Sequence, residues 1–173
     1  TSEAELFTQT VQTALGIVSD GAAEVAASVL RGAGPANAAG LAAAATDAGR
    51  VFGTAVAALN TRFSERAVFS GVNAETQPLP DPDTLLSALE GAIAGAGAVT
   101  VPDIQAAIDG WFGDPLGFDA QYAGGAGREG VPVAPGEEAD ISVTALDPAI
   151  KATLKDMATV ALLGRGLLTG QHD

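Results

Sequence analysis

The stretch LNTRFSERAVFSG, residues 59–71, closes a long alanine-rich run in this 173-residue chain. It contains two of the eight basic residues and two of the six phenylalanines: Arg62, Arg66, Phe63 and Phe69. Most of the glycines and prolines follow it, between about residues 71 and 136, whereas the first sixty residues hold one proline. This change in composition predicts that a helical region ends at Gly71 and that a region of different secondary structure begins there.

Two helices are predicted before this stretch, over residues 3–30 and 36–61. Apolar residues recur three or four positions apart in both, which is typical of one buried helical stripe. Gly32 and Pro35 interrupt the pattern and favour a short turn, so the pair is predicted to be an antiparallel hairpin. The candidate seam positions are Val11, Leu15, Val18, Val25, Val29, Leu41, Phe52 and Leu59.

The rest of the chain is predicted to hold a small insert and a returning helix. Asp147 and Pro148 begin an apolar-periodic segment that ends near residues 164–166. Before it, short helices are expected after Asp81 or Asp83 and over residues 102–112, and strands in GFDAQYAGG and over residues 139–145. The fold class is α+β, mainly α, with a stem (1–70), an outward-facing α+β domain containing a β-hairpin (71–146) and a returning helix with a tail (147–173).

The composition argues against several classes of function. A net charge of −13 leaves no basic patch for nucleic acid. With no cysteine and one histidine, His172 near the end of the chain, the sequence predicts no catalytic, cofactor or metal site. The sequence contains no run of 18 apolar residues, so no membrane span is predicted. The first residues do not resemble a signal peptide.

Three local features allow a chemical interpretation and a structural one. GGAGREG lacks the strand and helix that a phosphate loop needs, so a flexible connection is the preferred interpretation. The acidic residues at 137–140 lack the spacing of a calcium loop. Four aromatic residues are consistent with a sugar-binding cleft but are interpreted as the core of the insert: Trp111, Phe112, Phe118 and Tyr122.

The residues of the opening stretch resemble the flagellin family, and within it the hook–filament junction proteins. The resemblance is carried by Asn60, Thr61, Arg62, Phe63, Arg66, Phe69, Ser70 and Gly71, and by VAPGEEADISVTALDPAIKATLKDMATVALL further on. It implies a core fragment that starts inside the first helix and lacks the long terminal segments of the family. It also implies a structural, non-enzymatic adaptor, with the insert facing outward.

The resemblance further implies partners and a location. The partners are other copies of the chain, the hook-side junction protein, flagellin and an export chaperone, with no nucleic acid and no membrane. The location is the extracellular bacterial flagellum, reached through the flagellar secretion apparatus without a cleaved signal peptide. Filament flagellin is the nearest alternative. A glycan-binding or hydrolytic surface domain, and a helical adaptor for one partner, are alternatives of other classes.

Roles at the boundary follow from the predicted helix end. Arg62 and Arg66, four residues apart, are expected on one face near the carboxyl end of the second helix, where they offset its dipole or reach a neighbouring subunit. Phe63 is expected to extend the seam by one turn. Phe69 is expected to anchor the departing chain, and Gly71 to let it turn.

Overall fold

The computed structural model describes residues 2–32, 38–127, 131–139 and 142–164. In these ranges the chain is mainly helical, with two small antiparallel hairpins, which confirms the mainly α class. The elements are α1 (Glu3–Gly32), α2 (Ala38–Leu59), β1 (Arg62–Phe63), β2 (Arg66–Ala67), α3 (Pro82–Gly95), α4 (Val101–Gly113), α5 (Phe118–Gln121), β3 (Val131–Ala134), β4 (Glu137–Ala139) and α6 (Pro148–Gly164).

Helices α1 and α2 form the predicted antiparallel hairpin. At one end, a Cβ on Gly32 would lie 2.7 Å from the carbonyl oxygen of Gly40, so the two backbones touch. At the other end, the rings of Phe7 and Phe63 meet edge to face, with centroids 5.8 Å apart. The predicted role of Pro35 lies outside the described residues.

Capping explains where several helices begin. Ser2 and Glu5 form a capping box, since the Glu5 amide donates to the Ser2 hydroxyl at 3.1 Å and the Ser2 amide to the Glu5 carboxylate at 3.4 Å. Asp147 caps α6 as predicted, accepting from the Ala149 amide at 3.0 Å. Asp81 holds the cap position of α3 but makes no side-chain capping bond.

Helix α6 packs along α2 and also contacts α1. Its buried face is Ile150, Leu154, Met157, Ala158, Ala161 and Leu162. Small residues let it approach closely, since a Cβ on Gly21 of α1 would lie 3.2 Å from the Met157 methyl group. The third helix that the alanine-rich seams require is therefore supplied by the chain itself.

One hydrophobic cluster runs through the described parts of all three predicted regions. It includes Phe7 and Val18 from α1, Leu89 from α3, Phe112 from α4 and Leu154 from α6. The cluster has no break at residues 70/71 or 146/147. The division into stem and outward domain therefore stays a prediction, with no separate core on either side of it.

The predicted β-hairpin is present as β3 and β4, but its second strand covers Glu137–Ala139, and the strand predicted in GFDAQYAGG is wrong. Phe118 starts a helical turn, because its ring packs on Phe112 at 5.2 Å and on Trp111 at 5.9 Å between centroids. Strand β4 ends at Ala139, and residues 142–145 form no strand. The Ala145 amide instead donates to the Phe69 carbonyl at 3.1 Å, so this backbone is bonded to the segment that follows α2.

Candidate functional site

The joint after α2, defined as residues 60–79 together with residues 122–127, holds the boundary residues. It begins at Asn60, whose side-chain amide meets the backbone of Leu79 in two directions. The Leu79 amide donates to Asn60 Oδ1 at 3.0 Å, and Asn60 Nδ2 donates to the Leu79 carbonyl at 3.1 Å. The pair closes the chain segment between the end of α2 and the start of α3, and it gives this asparagine a structural role that sequence analysis did not assign.

A tight hairpin follows, and it replaces the predicted extra helical turn. Ser64 and Glu65 have φ angles of +47° and +65°, which places both central residues in the left-handed region and fits a type I′ turn. Arg62 pairs with Ala67, and Phe63 with Arg66, in antiparallel register. An α-helix cannot continue through two residues of this conformation, so α2, which ends at Leu59, does not extend through the boundary stretch.

The helix-dipole role predicted for Arg62 and Arg66 is wrong. The two residues lie on opposite strands of the hairpin and do not share a helical face. The Arg62 guanidinium donates to the Glu65 carbonyl, within the turn itself. Phe63 packs on Phe7 from β1, and so it extends the apolar contact with α1 without extending α2.

Phe69, Ser70 and Gly71 are buried and hold two distant segments together. The Gly125 amide donates to the Ser70 carbonyl at 2.7 Å, and the Val72 amide donates to the Ala126 carbonyl at 3.0 Å. Ser70 Oγ donates to the Thr76 carbonyl at 2.5 Å. The anchor role predicted for Phe69 is consistent with a side chain that is 0% exposed.

Glycine is required where these segments meet. Gly71 has φ +57°, and a Cβ there would lie 2.3 Å from the Ala126 carbonyl oxygen. On the facing segment, a Cβ on Gly124 would lie 2.4 Å from the Tyr122 ring and hydroxyl, and one on Gly127 would lie 2.4 Å from the Ser142 carbonyl oxygen. The glycine-rich run is therefore packed against the joint, which its interpretation as a flexible connection missed. Residues 128–130 lie outside the described ranges.

Tyr122 closes the joint from the insert side. Its hydroxyl donates to the Gly125 carbonyl at 2.7 Å, and the Phe69 carbonyl lies 3.4 Å away. Burial raises the pKa of the Tyr122 phenol above its ordinary value of 10.0. The phenol is thus held neutral as a structural hydrogen-bond donor.

The aromatic residues of the insert pack together, in agreement with their interpretation as its core. Phe112 and Phe118 are stacked and buried, with exposures of 5% and 1%. Trp111 meets Phe112 edge to face at 5.0 Å between centroids. A sugar-binding platform needs an open aromatic face, which the buried rings of Phe112 and Phe118 do not offer; Trp111 and Tyr122 are partly buried against the same core. Among the described residues, no three acidic or histidine side chains are grouped closely enough to hold a metal ion.

The seam candidates divide by burial. Val18, Val25, Phe52 and Leu59 are buried within the chain, and Val11, Leu15 and Val29 are partly buried against the same core. Leu41 is 40% exposed. Other large apolar side chains on the outer surface of α1 were not among the candidates, and these are Leu6, Ile17 and Leu30.

A polar clamp joins α1 to α2 beside the seam. Arg50 donates to Glu24 at 2.5 Å and to Asp47 at 2.6 Å, and Ser28 Oγ donates to the other Asp47 oxygen at 2.8 Å. The hydrogen bond from Arg50, followed by that from Ser28, lowers the pKa of Asp47 below 3.8. Sequence analysis assigned no role to Arg50, although the spacing of Asp47 and Arg50 favours such a pair.

Helix α1 is long and apolar enough to cross a membrane on length and composition alone, and 28% of its most apolar window is buried. Core helices of folded domains and signal sequences near an N-terminus pass the same test. The expectation of no membrane partner therefore stays a prediction.

The chain matches no protein-family model, no curated protein and no solved structure.

Proposed function

We propose that the chain is a structural subunit of the bacterial flagellum, an adaptor at the hook–filament junction that assembles through apolar helical surfaces. The observation that carries the proposal is the joint. The residues on which the resemblance to flagellins rests are the residues that make its contacts, Asn60 to Leu79, Phe63 to Phe7, and Ser70 and Gly71 to residues 125–126.

The joint suits a mechanical role because it ties segments far apart in sequence to the end of a two-helix stem. A load applied to the insert passes into α2 through backbone hydrogen bonds and a shared core, without a flexible linker between them. Catalysis has no place in this proposal, in which the side chains of Asn60, Ser70 and Tyr122 hydrogen-bond to backbone carbonyl groups. The proposed partners are other copies of the chain, the hook-side junction protein, flagellin and an export chaperone, outside the cell.

Assembly between copies requires apolar surface that the fold does not consume. The large exposed side chains on the two long helices meet this requirement, with exposures of 38%, 39% and 40% for Leu6, Ile17 and Leu41. Contiguous exposed apolar surface is typical of interaction sites, whereas single exposed apolar side chains are ordinary, so the proposal requires these side chains to act together across several copies. The net charge of −13 opposes association of copies unless such contacts outweigh it.

The test is deletion of the gene in a flagellated bacterium that encodes this chain. We expect hooks without filaments, flagellin released into the medium, and immunogold label confined to the hook–filament boundary when the gene is restored. Label along whole filaments would instead assign the chain to filament flagellin. Unchanged swimming and normal filaments in the deletion strain would overturn both.

A matched pair of variants links the phenotype to the surface. Ile17→Asp places a charge on the outer side of α1 and is expected to fail in restoring filaments. Leu116→Asp is the control, because Leu116 is 85% exposed in the turn between α4 and α5. Both purified variants should keep the helical circular dichroism of the parent, which separates loss of assembly from loss of folding.

A further inference from the structure

An apolar groove runs between α1 and α6, with a volume of about 420 Å³. Its lining residues are Ala22, Val25, Ala26, Val29, Leu30, Thr153, Asp156, Met157 and Val160. Val25 and Met157 are buried, and Leu30 is 78% exposed. Leu30 therefore leaves apolar surface exposed beside the groove. Each Å² of such surface that is removed from water contributes about 25 cal/mol of favourable free energy.

The shape of the groove fits a helix. Its two walls are helices, and the lining residues of α1 and of α6 recur at helical spacing, so ridges from a third helix can lie between them. The Thr153 hydroxyl donates to the Ala149 carbonyl at 2.9 Å, so its hydrogen-bond donor is already satisfied within α6 and needs no partner from a bound helix.

The charge of the groove selects among occupants. Asp156 is the charged residue among the described lining, and it is exposed. The described basic side chains of the two helices are engaged elsewhere: Arg31 with Ser28, Lys151 with Asp119 at 2.6 Å, and Lys155 with Asp109 at 3.2 Å. None of the basic side chains that the structure describes on these two helices therefore pairs with Asp156, and a second copy of a chain with net charge −13 is a poor match for this carboxylate.

We propose that this groove binds an amphipathic helix of another protein, one whose apolar face is flanked by a lysine or arginine that pairs with Asp156. The mode is helix-in-groove recognition, in which apolar anchors supply affinity and the rim charge selects the partner. The inference rests on the proposed function, because Val25 and Val29 belong to the predicted assembly seam, and it names the chemistry of the partner.

The experiment uses two fluorescein-labelled synthetic helical peptides with the same leucine and alanine face. One carries lysines along the rim and the other carries glutamates. Fluorescence anisotropy with the full chain should show binding of the lysine peptide, and binding at least about tenfold weaker for the glutamate peptide, the factor that corresponds to about 1.4 kcal/mol.

Variants of the chain place the binding in the groove. Leu30→Ser should weaken binding of the lysine peptide by about tenfold or more, since it removes an exposed apolar anchor without adding a charge. Asp156→Lys should reverse the preference between the two peptides. Leu116→Asp should change neither, and circular dichroism should show that all three variants remain folded.

Four outcomes would overturn the inference. They are no binding of the lysine peptide, equal binding of both peptides, self-association of the chain that Leu30→Ser abolishes, and binding to phosphatidylcholine vesicles that Leu30→Ser abolishes. The third would assign the groove to a second copy and the fourth to a membrane surface. Failure of the flagellar role is read separately, from swimming and filaments in the deletion strain, and leaves the peptide result unchanged.

Discussion

Replacing Gly71 by alanine tests whether the joint is a rigid contact. Gly71 has φ +57°, where an L-residue with a Cβ costs about 1–2 kcal/mol. The added Cβ would also lie 2.3 Å from the Ala126 carbonyl oxygen and 2.4 Å from that of Gly125, distances that real Cβ atoms do not reach. The two segments must therefore separate.

Separation weakens the hydrogen bonds on both sides of the glycine. They join Gly125 to Ser70 at 2.7 Å and Val72 to Ala126 at 3.0 Å, and a typical bond of this kind contributes about 1 kcal/mol. We expect Gly71→Ala to lower the free energy of unfolding by about 3 kcal/mol or more, once backbone strain and lost hydrogen bonds act together.

Gly97→Ala is the matched control. Gly97 has φ +65°, but a Cβ there meets no atom within 4 Å, so the variant bears the left-handed strain without the clash. Its expected cost is about 1 kcal/mol. Urea unfolding followed by the fluorescence of the single tryptophan, Trp111, and by helical circular dichroism measures both.

The difference between the two variants decides the question. If Gly71→Ala and Gly97→Ala lower the free energy of unfolding equally, the added Cβ at Gly71 costs no more than its backbone strain. The joint is then not a rigid contact. If the Trp111 transition separates from the helical transition in Gly71→Ala alone, the joint also couples the insert to the stem as one cooperative unit.

Four further predictions concern the turn, a helix and two titrating groups. Replacing Ser64-Glu65 by Asn-Gly should stabilise the chain by about 1–2 kcal/mol in urea unfolding, because those residues suit two positive φ angles. Gly91→Ala should stabilise it by about 0.5–1 kcal/mol, since a Cβ on this helical glycine meets no atom within 4 Å. Ultraviolet titration of the single tyrosine should show native Tyr122 ionising above pH 10.0, with stability lost as the pH rises through its raised pKa; ionisation at the ordinary value would contradict its burial. Asp47 has a lowered pKa, so its contribution is present above pH 3.8 and lost as the pH falls further; Asp47→Asn should lower stability at neutral pH and flatten its decline in acid.

The long helices were predictable because their information is local. A stripe repeating every three or four residues, with Asp147 capping α6, predicts each helix from its own sequence. The capping box of Ser2 and Glu5 was also readable, as a serine followed three residues later by a glutamate. No structure was needed for these features.

The joint was not predictable from local pattern. Ser64-Glu65 lacks the Asn-Gly or Asp-Gly pair that normally marks a type I′ turn, so the helical spacing of Arg62 and Arg66 prevailed in the sequence argument. The close packing at Gly71 depends on a segment more than fifty residues away, near Gly125. Contacts at that separation leave no periodicity in either segment.

The burial of the seam changes where contacts between subunits can form. Val18, Val25, Phe52 and Leu59 already pack within the chain, partly against α6, so they stabilise the stem and are not free to bind a second copy without unfolding it. The surface left for the proposed assembly is the outer side of the hairpin, where Leu6, Ile17 and Leu41 remain exposed. These side chains are spread along a chain of net charge −13, so each contact in the proposed assembly would have to remove apolar area against charge repulsion that salt screens. The proposed assembly would therefore need many copies in register, because each contact is small, and a stem held rigid by the joint would keep those contacts aligned.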